Sequence, residues 1–512
     1  MIVVGGTLSL DDVVAVANGA PVGFEDDARG RVETAHQVVV RAVASGATIY
    51  GITTGFGSLA DVRIDPSQAS ELQHGIVRSH ATAVGAPLSR EEARAMLLLR
   101  AHVLALGHSG VRPVIVDLMV QMLNQDVVPA VPQQGSLGAS GDLAPLANLA
   151  LPLIGHGEVL SPEGGTEPAL PAMTRAGLEP LTLEPKEGLA LVNGTQGMLA
   201  VGILAVARAA SLARTADVVA AMTIEAAMGT DAPFDERLQA LRPHPGQRAS
   251  AANLRRLLAG SPILASHRDS HHLVQDAYSL RCAPQVHGAT RDALAYASGV
   301  LTIEAGSVSD NPIVLVGDRP DADEVRSGGN FHGQPVAVAM DTVALALVSL
   351  ASISERRLYR LLDHQQSNGL PAFLVHESGL NSGFMLVQYT AASLVSESKS
   401  LAHPASVDSI PSSAGQEDHV SMGMTSARHA REIVTNAEHV LAMEALAAAQ
   451  ALDLREPLLP GAATQAVRDA IRATVPFFQA DREFGPDIAD AVAMVRSGAL
   501  VNAAESASGQ LD

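Results

Sequence analysis

The chain has very little cysteine, which forms the disulfides of secreted proteins, and few aromatic residues. Among its 512 residues are one cysteine and no tryptophan, and aromatic residues make up 3%. The single cysteine, Cys282, cannot form an internal disulfide, which is typical of a reducing compartment. No basic segment precedes the first apolar residues, so the N-terminus does not resemble a secretory signal. We therefore expect a cytoplasmic protein.

Basic residues are also scarce. The chain has 34 lysines and arginines against 54 aspartates and glutamates, a formal charge of 34 − 54 = −20. Nucleic acids and anionic membranes bind basic patches, so neither is expected as a partner. The segment 188–207 is uncharged over the length of a membrane span, but it contains the polar, glycine-rich run Asn193 to Gly197. That run predicts a turn before a buried helix rather than a span.

Alanine, leucine and valine supply most of the apolar residues, and this composition favours helices. Ser89 and Glu92 form a capping box at the start of an apolar-periodic segment, Leu88 to Leu106, and Gly107 ends it. Longer periodic segments predict further helices at 195–228, 285–306, 333–363, 382–402 and 423–453.

The predicted fold is mainly α, with a long central helical bundle and a mixed, loop-rich N-terminal region that carries the chemically unusual loops. A chain of this length exceeds what one core needs. We divide it into 1–190, 191–455 for the bundle, and 456–512 for C-terminal helices and a tail.

A glycine-rich turn, Gly135 to Asp142, is the most unusual of these loops. It lacks the Gly-Lys-Ser/Thr ending of a phosphate loop, and Asp142 stands where a nucleophile elbow needs glycine. Its residue types suit another chemistry. If the backbone nitrogen of Gly141 attacks the carbonyl carbon of Ala139, a five-membered ring closes. Loss of two waters, one carrying the Ser140 hydroxyl, then yields a methylidene-imidazolone, which is a strong electrophile.

The run GSLGASGDLAPLA, residues 135–147, resembles the signature of the aromatic amino-acid ammonia-lyases. The resemblance extends over most of the chain through YGITTGFG, EGLALVNGTQG, LRPHPGQ, QDAYSLRCAPQV, DNPIV, GGNFHG, GLNSGFM and LAHPASVDSIPSSAGQEDHVSMG. It implies a 4-methylidene-imidazol-5-one (MIO) group formed from Ala139, Ser140 and Gly141. It also implies a homotetramer with active sites built from three subunits.

Within this family the chain most resembles the members that act on histidine, at Ser79-His80 and at Gln416-Glu417-Asp418. An imidazole needs polar partners at both ring nitrogens, and a carboxylate such as Glu417 accepts from its N–H. A phenyl ring would leave His80 and Glu417 unpaired, at a cost of about 1–3 kcal/mol each. The expected reaction is elimination of ammonia from L-histidine to give urocanate. Alternatively, His80 caps a helix and Glu417 pairs with His419.

The resemblance also implies roles for other residues, each with a structural alternative. Tyr50 would be the base, and a phenol in that role needs nearby positive charge or helix N-termini. Arg281 would hold the substrate carboxylate, unless it forms a structural ion pair. Tyr278 would lie beside the MIO group and the leaving amine. Asn193 and Gln275 would hydrogen-bond the imidazolone or the substrate, unless they satisfy loop backbone groups. Phe331 would form a wall of the electrophile, unless it is a core aromatic, and Asp142 would carry protons or cap the following helix.

Other functions remain open. A tyrosine ammonia-lyase, an MIO aminomutase and a lyase of a modified histidine share the same chemistry. The run HRDSHH, residues 267–272, could suggest a metal-dependent hydrolase, but its spacing matches neither HExxH nor HxHxDH, and we expect no metal. A non-catalytic helical scaffold is the remaining alternative.

Overall fold

The structure, a computed structural model, describes residues 1–46, 48–55, 57, 62–270 and 274–512. The chain divides into two compact units, each made of separate segments. The first unit comprises 1–204, 298–341 and 404–428, and the second comprises 205–297, 342–403 and 429–512. The sequence-based regions 1–190, 191–455 and 456–512 group residues by pattern rather than by contact, and that division stays a prediction.

Helices dominate the described residues, as the composition predicts. The first eight are α1 (Leu10–Ala17), α2 (Asp26–Ala44), α3 (Ala69–His80), α4 (Arg90–Ala105), α5 (Pro113–Asn124), α6 (Leu143–Ala150), α7 (Ala169–Arg175) and α8 (Glu187–Val192). The others are α9 (Gln196–Ala226), α10 (Glu236–Ala240), α11 (Pro245–Leu257), α12 (Pro262–Ser266), α13 (Tyr278–Arg281), α14 (Ala283–Ala305), α15 (Gln334–Leu362), α16 (Met385–Leu401), α17 (Gly423–Asp453), α18 (Ala462–Arg472), α19 (Gly485–Arg496) and α20 (Ala499–Ser508). The mainly helical fold is confirmed.

The predicted long helices are found as α9, α14, α15, α16 and α17, with ends that differ by at most three residues from the periodic segments. Helices α9 and α15 are also long and apolar enough to cross a membrane. Most of the apolar stretch of α9, and more than half of that of α15, is buried inside the protein. Such burial is what core helices of a folded protein show.

Short strands pair two by two within the first unit. They are β1 (Ile2–Val4), β2 (Val22–Phe24), β3 (Val84–Pro87), β4 (Pro132–Gln134), β5 (Glu158–Leu160), β6 (Thr166–Pro168), β7 (Ile313–Leu315) and β8 (Glu324–Arg326). The pair β1–β2 is parallel, and β3–β4, β5–β6 and β7–β8 are antiparallel. Strand β4 leads directly into the glycine-rich turn, and α6 begins just after it. The turn is therefore held at both ends by regular structure.

Helix α4 begins two residues after the start of the predicted segment and ends one residue before its end, and its environment differs from the predicted one. The Ser89 side chain and the Glu92 backbone and side chain form the predicted capping box. Gly107 follows the helix with φ +82°, a conformation that glycine adopts without strain. All residues from Glu92 to Ala105 are buried, whereas the sequence predicted one apolar face. The helix is enclosed because α1, α2, α5 and β1 pack around it.

A small apolar cluster fixes the segment that carries Tyr50. Ala35, Val38 and Val39 of α2 pack with Ile52 and with Val314 of β7. Ile49 packs against the same cluster. Because Ile49 and Ile52 are anchored on either side of Tyr50, the position of this tyrosine is set by the core of the first unit.

The second unit contains a buried polar network. Arg357 donates two hydrogen bonds to Glu444, and that carboxylate also accepts from Ser354 and Thr223. All four side chains are fully buried. A buried ion pair survives desolvation only when its remaining hydrogen-bonding positions are filled, and here the two hydroxyl groups fill them.

Burial of His102 in α4 predicts a loss of stability in acid. Its Nδ1 accepts from the Gly5 backbone nitrogen at 3.3 Å, and desolvation lowers its pKa from 6.5 to about 4. Below pH 6.5, His102 therefore binds a proton in the unfolded chain while it stays neutral in the folded chain. This group's contribution to the free energy of unfolding should fall by about 2 kcal/mol between pH 7.5 and pH 5.

Urea unfolding of the wild type and of His102→Gln at pH 7.5 and pH 5 measures this effect. We expect the variant to lose about 2 kcal/mol less than the wild type over that interval, because glutamine does not titrate. Equal losses in the two proteins would show that His102 is not the responsible group.

Candidate active site

The glycine-rich turn is folded back on itself and held by the segment that precedes α9. Gly138 and Gly141 pair across the turn as an antiparallel bridge, with φ +78° and +76°. The Gly194 nitrogen donates to the Ser140 carbonyl at 3.2 Å, and the Gly194 carbonyl accepts from the Asp142 nitrogen at 2.7 Å. A Cβ atom on Gly141 would lie 2.0 Å from the Gly194 carbonyl oxygen. Only glycine fits at 141.

Asp142 connects the turn to α9. Its carboxylate accepts from the Met198 backbone nitrogen and from the Ser136 hydroxyl, both at 2.7 Å. The sequence offered a cap on the following helix, but the Asp142 side chain makes no capping bond to α6. It instead accepts a hydrogen bond in the first turn of α9, where the helix dipole favours a negative charge. Burial raises the pKa of Asp142 to about 6.

Asn193 lies beneath the turn and is buried. Its side-chain nitrogen donates to the Asn311 backbone carbonyl at 2.9 Å, and its own backbone carbonyl accepts from Arg100 at 2.6 Å. Its side-chain oxygen has no hydrogen-bond partner among the described residues. A buried acceptor without a donor costs free energy. The residues fit an MIO group at the tripeptide itself, which doubles back and has no room for a Cβ at Gly141. The Asn193 side-chain nitrogen donates to Asn311 and Asp310 instead of to the turn.

A cavity of about 400 Å³ opens on this turn within the first unit. Five of the predicted site residues line it: Tyr50, Ala139, Ser140, Phe331 and Glu417. The Tyr50 hydroxyl accepts from the Gly57 nitrogen at 3.0 Å. Phe56, which the motif YGITTGFG includes, lies outside the described residues. The cavity has the size of a small-molecule site.

A second cavity of about 270 Å³ adjoins the first. It is lined by Ser79 and His80, and it shares Ala139 and Glu417 with the larger cavity. His80 and Glu417, the two residues predicted to select the substrate side chain, thus line one cavity beside the turn.

His80 ends α3, and its Nδ1 lies 3.0 Å from the Ile76 carbonyl oxygen and 3.0 Å from the Ser79 hydroxyl. The helix-capping alternative is therefore correct for this nitrogen. Because the Ile76 carbonyl accepts from Nδ1, the contact favours the tautomer in which Nε2 is an acceptor. Capping and lining the cavity are compatible for one imidazole.

Glu417 is oriented by Ser412. The Ser412 hydroxyl donates to the Glu417 carboxylate at 2.9 Å, and the backbones of the two residues exchange hydrogen bonds in both directions. The intervening loop turns through Ser413 and Ala414 at φ 50° and 52°. Gly415 at its tip has open space around the position of a Cβ.

His419, the alternative partner for Glu417, stacks on His332. The two rings are 5.9 Å apart at an angle of 5°, and His332 Nε2 lies 3.3 Å from the His419 carbonyl oxygen. Both histidines line the larger cavity. The sequence reasoning missed Ser412 and did not use His332. Ser412 stands in the matching run near residue 415, which is the signal that could have found it.

Three predicted site residues, Gln275, Tyr278 and Arg281, belong to the second unit. Tyr278 is 71% exposed, and the Arg281 guanidinium lies 4.5 Å from the centre of its ring. Arg281 also donates to the Asp276 carbonyl at 3.0 Å. Gln275 lines a separate cavity of about 260 Å³ in this unit. The structural alternative for Arg281 was an ion pair; its observed contacts are a cation–π contact and a carbonyl.

The run HRDSHH is described only in part. His267 Nε2 lies 2.8 Å from the Gly229 carbonyl oxygen, while His271 and His272 lie outside the described residues. Within the described ranges, no group of three or more His, Cys, Asp and Glu side chains is arranged to hold a metal ion.

The chain resembles known proteins over nearly its whole length. A model of the aromatic amino acid lyase family matches residues 8–473. Histidine ammonia-lyase from Sorangium cellulosum (strain So ce56) is 53% identical over 513 residues, covering 99% of each chain.

Solved structures agree with that match. Tyrosine aminomutase from Streptomyces globisporus superimposes with a TM-score of 0.93 at 40% identity, covering 100% of both chains. Histidine ammonia-lyase from Trypanosoma cruzi superimposes with a TM-score of 0.90 at 42% identity, covering 99% of this chain and 95% of that one. This chain belongs to the aromatic amino acid lyase family.

Proposed function

We propose that the chain eliminates ammonia from L-histidine to give urocanate, using an MIO group formed from its own Ala139, Ser140 and Gly141. The observation that carries the proposal is the shared cavity lining. Glu417 and His80 line the same space as Ala139, so polar partners for an imidazole lie beside the tripeptide. The histidine ammonia-lyase names of relatives at 53% identity support the same substrate.

An MIO group formed at Ala139, Ser140 and Gly141 would supply an electrophile that makes the substrate amine a better leaving group. The remaining work falls to side chains. Glu417 accepts from the imidazole N–H, and Ser412 holds the carboxylate in place. Tyr50, which lines the cavity with Ala139 and Ser140, takes the proton from the substrate β-carbon. Phe331 walls the electrophile, and Asn193 supports the turn from below.

Asp142 is proposed to move protons during formation of the group. Its carboxyl is buried and its pKa is raised to about 6, so both protonation states are accessible near neutral pH. Its hydrogen bond from Ser136 and its backbone contact with Gly194 keep it beside Gly141.

Gln275, Tyr278 and Arg281 are proposed to complete the site from other copies of the chain, in a homotetramer whose sites each draw on three subunits. Tyr278 is exposed, and it sits on a short helix with the only arginine we assign to the substrate carboxylate. In such an assembly Tyr278 lies by the leaving amine, and Gln275 donates to the imidazolone or to the substrate. We place the enzyme in the cytoplasm, in keeping with its single, free cysteine.

A second candidate is an MIO aminomutase, which returns the ammonia to the β-carbon. The similarity to tyrosine aminomutase, at 40% identity over the whole of both chains, is the observation that favours it. The two candidates differ in product, because an aminomutase releases a β-amino acid and a lyase releases free ammonia.

Replacing Ser140 with alanine removes the β-hydroxyl that must be eliminated. We expect turnover to fall at least about a thousandfold, as when a covalent catalyst is removed from other enzymes. The thermal midpoint should stay close to that of the wild type. Intact-mass spectrometry should show the wild type two waters lighter than its sequence and Ser140→Ala at its full sequence mass. An active Ser140→Ala protein would contradict the MIO assignment.

Substrate choice is tested with histidine, tyrosine and phenylalanine, following the conjugated product by ultraviolet absorbance and the β-amino acid by chromatography. We expect histidine to be preferred and free ammonia to be released. Ser412→Ala should raise KM for histidine about fivefold, the equivalent of about 1 kcal/mol for one hydrogen bond. Ser409→Ala is the matched control, because that hydroxyl accepts from the Val420 nitrogen instead. Faster turnover of tyrosine would refute the substrate assignment.

The shared site predicts complementation between inactive variants. Tyr50→Phe and Tyr278→Phe should each be nearly inactive, and co-expression should restore activity, because some sites then combine the intact residues of two chains. Light scattering should give four times the mass of one chain. If Tyr50 and Tyr278 act within one chain, the mixed protein will be no more active than its components.

A further inference from the structure

Arg100 is a buried charge with no assigned function. It lies in α4 and is 0% exposed. Its Nη1 donates to the Asn193 carbonyl at 2.6 Å and to the Gln196 side-chain oxygen at 2.8 Å. Its Nε and Nη2 have no hydrogen-bond partner in the part of the chain that the structure describes. Burying a guanidinium with two unpaired nitrogens lowers the free energy of unfolding, so its presence here suggests a role beyond stability.

The surroundings keep Arg100 charged. Burial lowers its pKa to about 10, and Asp310 opposes that shift, so the group remains protonated at neutral pH. Asp310 is itself paired with the fully buried Lys186 at 2.9 Å. Two cations and one anion therefore lie around Asn193, and none of the three is exposed to solvent.

Arg100 contacts the segment that clamps the tripeptide. The peptide nitrogen and carbonyl of Gly194 bind Ser140 and Asp142, one on each side of the turn. The peptide bond that supplies this nitrogen begins at the Asn193 carbonyl, which Arg100 holds. A Cβ on Gly194 would meet Arg100 Nη1 at 2.6 Å and the Gln196 side-chain oxygen at 2.4 Å. The guanidinium thus fixes the peptide plane that determines where Gly194 N–H points.

We infer that Arg100 is a positioning residue for ring closure: through the Asn193–Gly194 peptide it holds the Ala139-Ser140-Gly141 turn in the conformation that cyclises. This inference rests on the proposed function. In the step concerned, a bond forms between the Gly141 nitrogen and the Ala139 carbonyl carbon. The Ala139 oxygen leaves as water with the hydrogens of the Gly141 and Ser140 nitrogens. The Ser140 hydroxyl leaves as a second water with the Ser140 Cα hydrogen, so no oxidant is needed.

Arg94 provides a matched control. It lies on the same helix, is 3% exposed, and donates to the Val16 and Leu123 carbonyls and to Asp126. Its loss removes a comparable set of buried hydrogen bonds without touching Asn193. A purely structural role for Arg100 predicts that Arg100→Met and Arg94→Met behave alike. A positioning role predicts that only the first impairs ring closure.

The experiment measures the fraction of folded protein that is two waters lighter than its sequence mass. Each variant is made by cell-free translation and sampled over time by intact-mass spectrometry, with circular dichroism as the test of folding. We expect Arg100→Met to cyclise about tenfold to a hundredfold more slowly than the wild type, and Arg94→Met to cyclise at the wild-type rate in its folded fraction. Folded Arg100→Met that cyclises at the wild-type rate would overturn the inference.

Arg100→Lys keeps the inference testable if the methionine variant does not fold. Lysine keeps the charge but lacks the planar fork, so it cannot hold Asn193 and Gln196 in the same geometry. We expect slower cyclisation here too, and an unchanged rate would overturn the inference. A wild type at its full sequence mass would instead refute the proposed MIO group, which is a separate result.

Discussion

The backbone of Gly194 holds the tripeptide turn at two points, and the position of the turn depends on these two hydrogen bonds. Its nitrogen and carbonyl bind Ser140 and Asp142, and the absence of a side chain lets the two backbones approach. Asp142 then ties the turn to the first residues of α9. Strand β4 and helix α6 hold its ends. The geometry of the turn therefore depends on backbone contacts, which side-chain substitutions elsewhere disturb only indirectly.

The sequence predicts those features that depend on local pattern. The long helices were found because apolar spacing along a helix is set by neighbours a few residues apart, and the ends of α17 match the periodic segment 423–453. The chemistry proposed for Ala139 to Gly141 could be inferred from the sequence because one short segment contains all three residues. The joint lining of one cavity by His80 and Glu417 followed from the family resemblance, not from spacing.

Features that depend on contacts between residues far apart in the sequence could not be predicted from local pattern. Arg100 and Asn193 are 93 positions apart, and no local rule pairs them. Asp142 had the position of a cap for α6, but a tertiary contact with Met198 took its side chain. Helix α4 looked amphipathic, and burial on all sides followed from packing by α1, α2, α5 and β1. The hydrogen bond from Ser412 to Glu417 could not be predicted because it depends on the conformation of the loop between them.

The loop from Ser412 to Glu417 differs from the tripeptide turn in the freedom it leaves for change. At Gly141 a single added carbon meets backbone at 2.0 Å, whereas at Gly415 nothing lies within 4 Å. The turn proposed for the chemistry is thus closed to any side chain at Gly141, whereas the loop proposed for recognition has room for added atoms at Gly415 but a φ of +87° that disfavours them. Divergence in substrate preference within this architecture can proceed through the recognition loop while the reactive turn stays constant. Directed evolution of a new specificity should therefore concentrate its libraries on Gln416 and Glu417, which line the larger cavity.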